Sequence, residues 1–287
     1  MIFEQAGLYT TFQIAKNDEL SHTIANALVG NALDMPTFEM AVVPAAIIFE
    51  EDTLISLTGA DYQAYTSDRE IEMFKPHLIL KGETLYFRRA AKGTRVYLAV
   101  AGGIEEDILG EKIEPDTVVK LAHDYTDVQK KLIHKLRADI TCPWGVDYYS
   151  LSRIYYSDIF HVYPTADIRI IDDEVYEVAS YLNRQTFTLE GPAIHYVERP
   201  AEMLRPGTIQ VTADQKLRII LAEMEGQQGI AQIAPYHFSK LVQKRPGSKL
   251  IFKNVSSEKY EERQTSYDNW LKSLLMHLSY QLKTYIA

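Results

Sequence analysis

The chain has 287 residues, 46% of them hydrophobic, and a formal net charge of −9. That length suffices for two domains or one large one with a sizeable core, and the negative balance argues against a nucleic-acid or anionic-membrane surface, because phosphate binding is driven by Lys and Arg neutralisation. The single cysteine, Cys142, excludes an intrachain disulfide and fits a reducing, cytoplasmic setting; no signal peptide and no membrane span are expected, since residues 1–7 lack a basic region and no uncharged apolar run is long enough.

Residues 7–13 read as a short strand. A helix follows over about 18–29, where Ile24, Ala25, Leu28 and Val29 fall at helical spacing and Gly30-Asn31 is a good stop. Residues 37–60 and 78–101 read as strands punctuated by Asp52, Gly59 and Gly82. Within them 96–101 is a continuous apolar run ended by Gly102-Gly103, which suits a buried strand. Glu114-Pro115-Asp116 is a turn and 118–121 a short strand. Val128, Leu132, Ile133 and Leu136 share one face of a helix over 128–136. The Tyr-rich tract 141–164 reads as irregular and carries the boundary between two halves. Beyond it, 166–171 reads as a strand, 175–182 as a helix, 186–189 as a strand, 236–243 as a helix and 249–252 as the last strand. From about 257 to 286, Leu271, Leu274, Leu275, Leu278 and Leu282 lie on one helical face with Trp270 beside them. This amphipathic helix packs on its own barrel or, alternatively, meets a partner or a second copy. The 19 tyrosines suit strands and barrel surfaces. The organisation expected is an N-terminal half over 1–125, a linker over 126–165, a C-terminal half over 166–255 and a terminal helix over 256–287.

A plan recurs in the two halves. Residues 44–52, 54–60 and 81–87 run turn, short strand, Asp turn, apolar strand, long interval, Gly turn, strand. Residues 205–211, 217–223 and 245–252 run the same way. Leu54 precedes Gly82 by nearly the interval that separates Leu217 from Gly247. A repeated β unit implies two related half-molecules, and sites often form where such halves meet.

Several short motifs occur in a fixed order: Gly7-Leu8-Tyr9-Thr10-Thr11-Phe12-Gln13, Asn26-Ala27-Leu28-Val29-Gly30-Asn31, Leu57-Thr58-Gly59-Ala60-Asp61 and Tyr97-Leu98-Ala99-Val100-Ala101-Gly102-Gly103-Ile104. Leu189-Glu190-Gly191-Pro192, Gly207-Thr208-Ile209-Gln210-Val211 and the closing Arg245-Pro246-Gly247 strand continue the series. Over roughly residues 5–255 the ordered set resembles the biotin-dependent carboxyltransferase family in its broad sense. That family includes the 5-oxoprolinase subunit-C proteins, the KipA-type regulator and the second subunit of allophanate hydrolase. The resemblance implies a mainly β fold of two cyclophilin-like β-barrel halves and a subunit-B or KipI-type partner. It also implies, in 5-oxoprolinase, a subunit-A-type protein and ATP used to open the lactam of 5-oxoproline to glutamate. In urea amidolyase the related domain moves a carboxyl group from carboxybiotin to urea.

The departures from the family pattern are specific. After Gln13 the family's Asp-Leu-Gly-Arg segment and glycine-rich loop are missing, and after Gly110 a second glycine-rich stretch is missing. Asn183-Arg184 is kept but runs into Gln185-Thr186. Where the family has Asp-Arg-Gln-Thr-Thr-Gly-Gly-Tyr-Pro, this chain has Glu223-Met224-Glu225-Gly226-Gln227-Gln228-Gly229-Ile230-Ala231. A phosphorylated or carboxylated intermediate needs Arg or Lys donors and backbone amides from glycine-rich loops. Two such loops are gone, Met224 stands for Arg, and Glu223 and Glu225 repel an anion. A catalytically degenerate or re-purposed member is therefore expected.

Each candidate residue has a plain reading beside its functional one. Arg184, with Asn183, contacts an anionic ligand or the partner, or forms a surface ion pair with Glu190. Glu223, at a strand end beside a glycine loop, serves as a base or is a solvated turn residue. Gln210 points its amide into a cleft or pairs with backbone; Gly229 belongs to the same candidate site. Gly59 and Asp61 form the matching strand end of the first half. Ala101-Gly102-Gly103 is a tight turn, since it lacks the phosphate-loop lysine. Cys142 has no second cysteine, and the eight histidines form no ligand pair by spacing, so no metal is expected. No lysine lies in a biotin-attachment setting, so biotin, if used, arrives on another protein. Three functions follow from the resemblance: a subunit of a 5-oxoprolinase-like, ATP-dependent amidohydrolase complex, not active alone; a non-enzymatic KipA-like regulatory binding protein; or a carboxyltransferase using carboxybiotin and a urea-like substrate.

Overall fold

Period-two patterning and turn glycines cut most of the chain into short strands. The computed structural model describes residues 1–90, 92–164, 174–179 and 185–287. They form two compact units, one of Met1–Arg153 with Leu271–Ala287 and one of Ile154–Trp270.

In the first unit β1 (Ile2–Gln5), β2 (Tyr9–Gln13), α1 (Glu19–Leu28), β3 (Thr37–Ala41), β4 (Ala46–Ile48) and β5 (Thr53–Gly59) come first. β6 (Pro76–Ile79), β7 (Thr84–Leu85), β8 (Arg95–Val100), β9 (Thr117–Val118) and α2 (Asp127–Asp139) follow. The strands form two antiparallel sheets, in the orders β7-β4-β1-β9 and β2-β3-β8-β5-β6. Alternation decides what each face of the larger sheet buries. Phe38, Met40, Ile55, Leu57, Val96 and Leu98 join the apolar core with Phe3 and Ile47. The intervening Ser56 and Thr58 donate to carbonyls of α1, at Ala25 (2.6 Å) and Ser21 (2.7 Å). α1 is capped by Asp18, whose Oδ1 accepts from the Ser21 amide at 3.1 Å.

α2 starts at a reciprocal capping box between Thr126 and Gln129. Gln129 Nε2 also donates to the Val29 carbonyl (3.1 Å) and Asn31 Oδ1 (2.7 Å), tying α2 to the end of α1. Leu132 and Leu136 pack with Ala25, Val29 and Leu282.

After α3 (Tyr148–Tyr156), the second unit holds β10 (Ile159–Pro164), β11 (Val175–Val178), β12 (Thr186–Glu190), β13 (Ala201–Leu204) and β14 (Thr208–Val211). β15 (Leu217–Ile220), β16 (Met224–Gln227), β17 (Ala231–Ile233), α4 (Phe238–Val242), β18 (Lys249–Asn254) and α5 (Ser257–Ile286) complete the order. Seven strands close into a barrel, β10-β17-β14-β15-β12-β11-β18, sealed by parallel pairing of β10 with β18. Phe160, Val162, Phe187, Ile209, Ile219 and Phe252 fill it. Among the described residues β13 and β16 pair only with each other, as a ribbon outside the barrel. α5 gives its residues up to Trp270 to this unit and those from Leu271 to the first. Leu271, Leu278 and Leu282 are its buried positions.

The mainly β architecture, the few helices and the terminal helix are as expected from the sequence. Two expectations are corrected. Residues 175–178 are strand β11 and not the start of a helix, because Tyr176 and Val178 alternate inward while Val175, Tyr176 and Glu177 pair with β18. The tract 141–164 is not irregular: α3 and β10 form within it. Residues 180–182 and the strand expected over 166–171 lie outside the described residues. Both copies of the repeated plan contain their strands and glycine turns, with Gly82 and Gly247 both at positive φ, but the pairing differs. β14 pairs with β15, whereas β4 and β5 belong to different sheets.

Three donors converge on the Glu83 carboxylate: the Leu80 amide (2.6 Å), Thr66 Oγ1 (2.9 Å) and Arg69 Nη2 (3.2 Å). Burial pushes this carboxyl up, but the hydrogen bonds and the Arg69 charge outweigh it and hold Glu83 below its ordinary value. Its contribution is therefore complete above the ordinary carboxylate range and is lost as pH falls through the lowered value. Glu83→Gln is expected to cost about 2 kcal/mol at neutral pH. The gap from the native chain should narrow in strongly acid solution, which urea denaturation at both pH values checks.

Candidate functional site

Ile209 and Ile219 point into the barrel, so their neighbours Gln210 and Arg218, which face each other across β14 and β15, turn outward. Above them lies an open cleft of about 400 Å³, bounded by Tyr196, the 211–214 turn and β16. Gln210 is buried and donates through Nε2 to the Gln227 carbonyl. The Gln227 side chain accepts from the Tyr196 hydroxyl at 3.0 Å. These two bonds fasten β16 over the barrel wall. Gly226 permits the approach, since a Cβ there would stand 2.6 Å from Leu204 Cδ1 and 3.0 Å from Gln210 Nε2. Gly229 is tighter still, because its Cβ would meet Thr208 Cγ2 at 2.2 Å.

Arg218 is the cleft's cation. Among the described residues its guanidinium makes no side-chain hydrogen bond and no ion pair within 4.0 Å, though its charge acts on Asp214. Two carboxylates share the rim, Asp214 and Glu225. The Thr212 hydroxyl, at 2.5 Å, holds the Asp214 carboxyl below its ordinary value, helped by the charges of Lys216 and Arg218. With Gln210 Nε2 and Gln227 Oε1 engaged, the two side chains still offer, among the described residues, one amide oxygen and one NH₂ group. The arrangement suits a small ligand with an anionic group for Arg218 and an amide for the glutamine pair.

Of the sequence-derived candidates, Gln210 lines this cleft, and Gly229 fixes the segment that follows β16. Glu223 is exposed in the connection between β15 and β16 and is not part of the lining. Asn183 and Arg184 lie outside the described residues. Gly59 and Asp61 belong to the first unit. Gly59 ends β5 opposite Val96, and Asp61 Oδ1 accepts from the Gln63 amide at 2.7 Å, closing its own turn. Sequence reasoning missed Arg218, Tyr196 and Gln227. The signal for Arg218 was a lone charge within the apolar run of β15.

A second polar group was also missed. Thr11, Glu39, Tyr97 and Thr58 face one another in a row across β2, β3, β8 and β5. Tyr97 donates to Glu39 Oε2 at 2.9 Å, and Arg95 Nε lies 3.4 Å from Glu39 Oε1. Burial, then Glu39, pushes the Tyr97 hydroxyl well above its ordinary value, so it stays protonated as the donor. Burial opposes the charge of Arg95, but Glu39 and the other neighbouring groups raise it. No group of three or more His, Cys, Asp or Glu among the described residues is arranged to hold a metal, and no described helix is long and apolar enough to cross a membrane.

Residues 16–111 and 107–254 match the family model for the carboxyltransferase domain, subdomain A and B. The 5-oxoprolinase subunit-C protein of Escherichia coli (strain K12) is 25% identical over 254 residues, covering 80% of this chain and 82% of that protein. The urea amidolyase of Lachancea kluyveri is 33% identical over 88 residues, which are 31% of this chain and only 5% of that protein. The crystal structure of the Kluyveromyces lactis urea carboxylase superposes with a TM-score of 0.75 at 18% identity. It covers 95% of this chain and 29% of that one, a likeness of fold.

Gly229→Ala forces Thr208 or the 228–230 backbone to move and is expected to lower stability by about 2 kcal/mol. Urea denaturation checks this, and hydrogen exchange should show faster opening over 224–230 than over the rest of the barrel.

Proposed function

We propose that this chain, which belongs to the carboxyltransferase domain family of subdomains A and B, is the substrate-holding subunit of a cytoplasmic, ATP-dependent amide-opening complex of the 5-oxoprolinase type. It works with a subunit-B-type partner, and in the full assembly with a subunit-A-type protein. The observation that carries the reading is Arg218, whose guanidinium has no hydrogen-bond partner among the described residues, beside the Gln210–Gln227 pair in one cleft. 5-Oxoproline has a carboxylate for the guanidinium and a lactam that both donates and accepts. Its N–H meets the free Gln210 oxygen and its C=O the free Gln227 NH₂. Likeness to the Escherichia coli 5-oxoprolinase protein along about four-fifths of both chains supports the same choice.

ATP does not fit this cleft. A triphosphate needs several cationic donors and a glycine-rich cradle, and here one Arg stands against Asp214 and Glu225. The nucleotide is therefore assigned to a partner, and the role of this chain is to bind, orient and desolvate the lactam. A purely regulatory role, as for the KipA-type protein, is favoured by one feature, the acidic rim of the same cleft.

The co-purified complex is expected to hydrolyse 5-oxoproline only with ATP, and this chain alone is expected to be inactive. Arg218→Gln should raise KM for 5-oxoproline by about tenfold or more while leaving complex formation intact. A stable complex without turnover would support the regulatory reading and contradict the catalytic one.

A further inference from the structure

A second cavity, of about 440 Å³, opens on the first unit between the start of α1 and the middle of α5. Its walls are Ile14, Leu33, Leu271 and Leu275. Ile14 and Leu33 remain 39% and 45% exposed, although an apolar wall gains by being covered. Two carboxylates, Glu19 and Asp34, share the lining, and no Lys or Arg does. Neither carboxylate has a side-chain hydrogen bond or an ion pair among the described residues.

The imidazole in the groove does not neutralise them. His22 Nδ1 lies 3.0 Å from Thr37 Oγ1 and Nε2 3.5 Å from Asn26 Nδ2, so both ring nitrogens are engaged. Burial lowers the His22 pKa, outweighing Asp34 and Glu39, which leaves the ring neutral at neutral pH. Among the described side chains the groove is thus an apolar slot with two exposed carboxylates and no cation in its lining. An apolar anion is repelled, and a neutral apolar molecule gains nothing from the carboxylates, which stay hydrated at the rim. A cation with an apolar body meets both conditions.

We propose that this groove binds a small organic ammonium ion, its apolar body lying against Leu33, Leu271 and Leu275 and its N–H groups directed to Asp34 and Glu19. The volume is in the range of small-molecule sites. The site belongs to the first unit and does not rest on the function assigned to the barrel cleft.

Titration calorimetry of the full chain at low ionic strength tests it with phenethylammonium, 2-phenylethanol and phenylacetate, three probes of one shape and different charge. Phenethylammonium is expected to bind saturably and about tenfold or more tighter than the alcohol, and phenylacetate not to bind. In the Glu19→Gln/Asp34→Asn double variant the ammonium should lose its lead and bind like the alcohol. Leu33→Ser, at an exposed position, should weaken the ammonium without removing that lead. The proposal is overturned by equal binding of alcohol and ammonium to the native chain, by no saturable ammonium binding, by a lead that survives in the double variant, or by unchanged affinity in Leu33→Ser.

Discussion

Parallel pairing of β10 with β18 is the constraint on which the second unit depends. Without it the seven strands would be an open sheet with two edges; with it every barrel strand has two neighbours. Closure fixes which residues of β14 and β15 face inward, and so places Gln210 and Arg218 together on the outer wall. The β13–β16 ribbon is then held against that wall by contacts only a glycine at 226 and a buried amide at 210 allow. The cleft is a consequence of the barrel and not an addition to it.

The fold was legible wherever pattern and length agreed. α1, α2 and α5 follow apolar spacing and clear stop or cap residues, and β8 is a long apolar run ending in two glycines. The failure at 175–178 is instructive. Val, Tyr, Glu and Val allow either a helix turn or a strand, and the decision comes from β18, some seventy residues later in the chain. The repeated plan was visible through Gly82 and Gly247 because a turn needing positive φ marks itself locally. Which strand pairs with which does not, so the different partners of β4 and β14 were out of reach.

The candidate site was half legible for a related reason. A glutamine inside an apolar strand and a glycine after a polar stretch draw attention by themselves, and both matter in the cleft. Arg218 was overlooked because Glu223–Ala231 carried the departures from the family pattern, while this charge sits on the preceding strand. The Glu39–Arg95–Tyr97 group is split between β3 and β8, distant in sequence, and only the sheet brings it together. Met224, which stands where the resemblance expects an arginine, and Arg218 line the same cleft.

The most direct test of the central claim is to locate the ligand. Isotope-edited NMR of the complex with labelled 5-oxoproline reports which residues it touches. The account expects shifts at the Arg218 guanidinium and at the Gln210 and Gln227 side-chain amides, abolished by Arg218→Gln. Shifts confined to other residues, or an undiminished response in that variant, would contradict it.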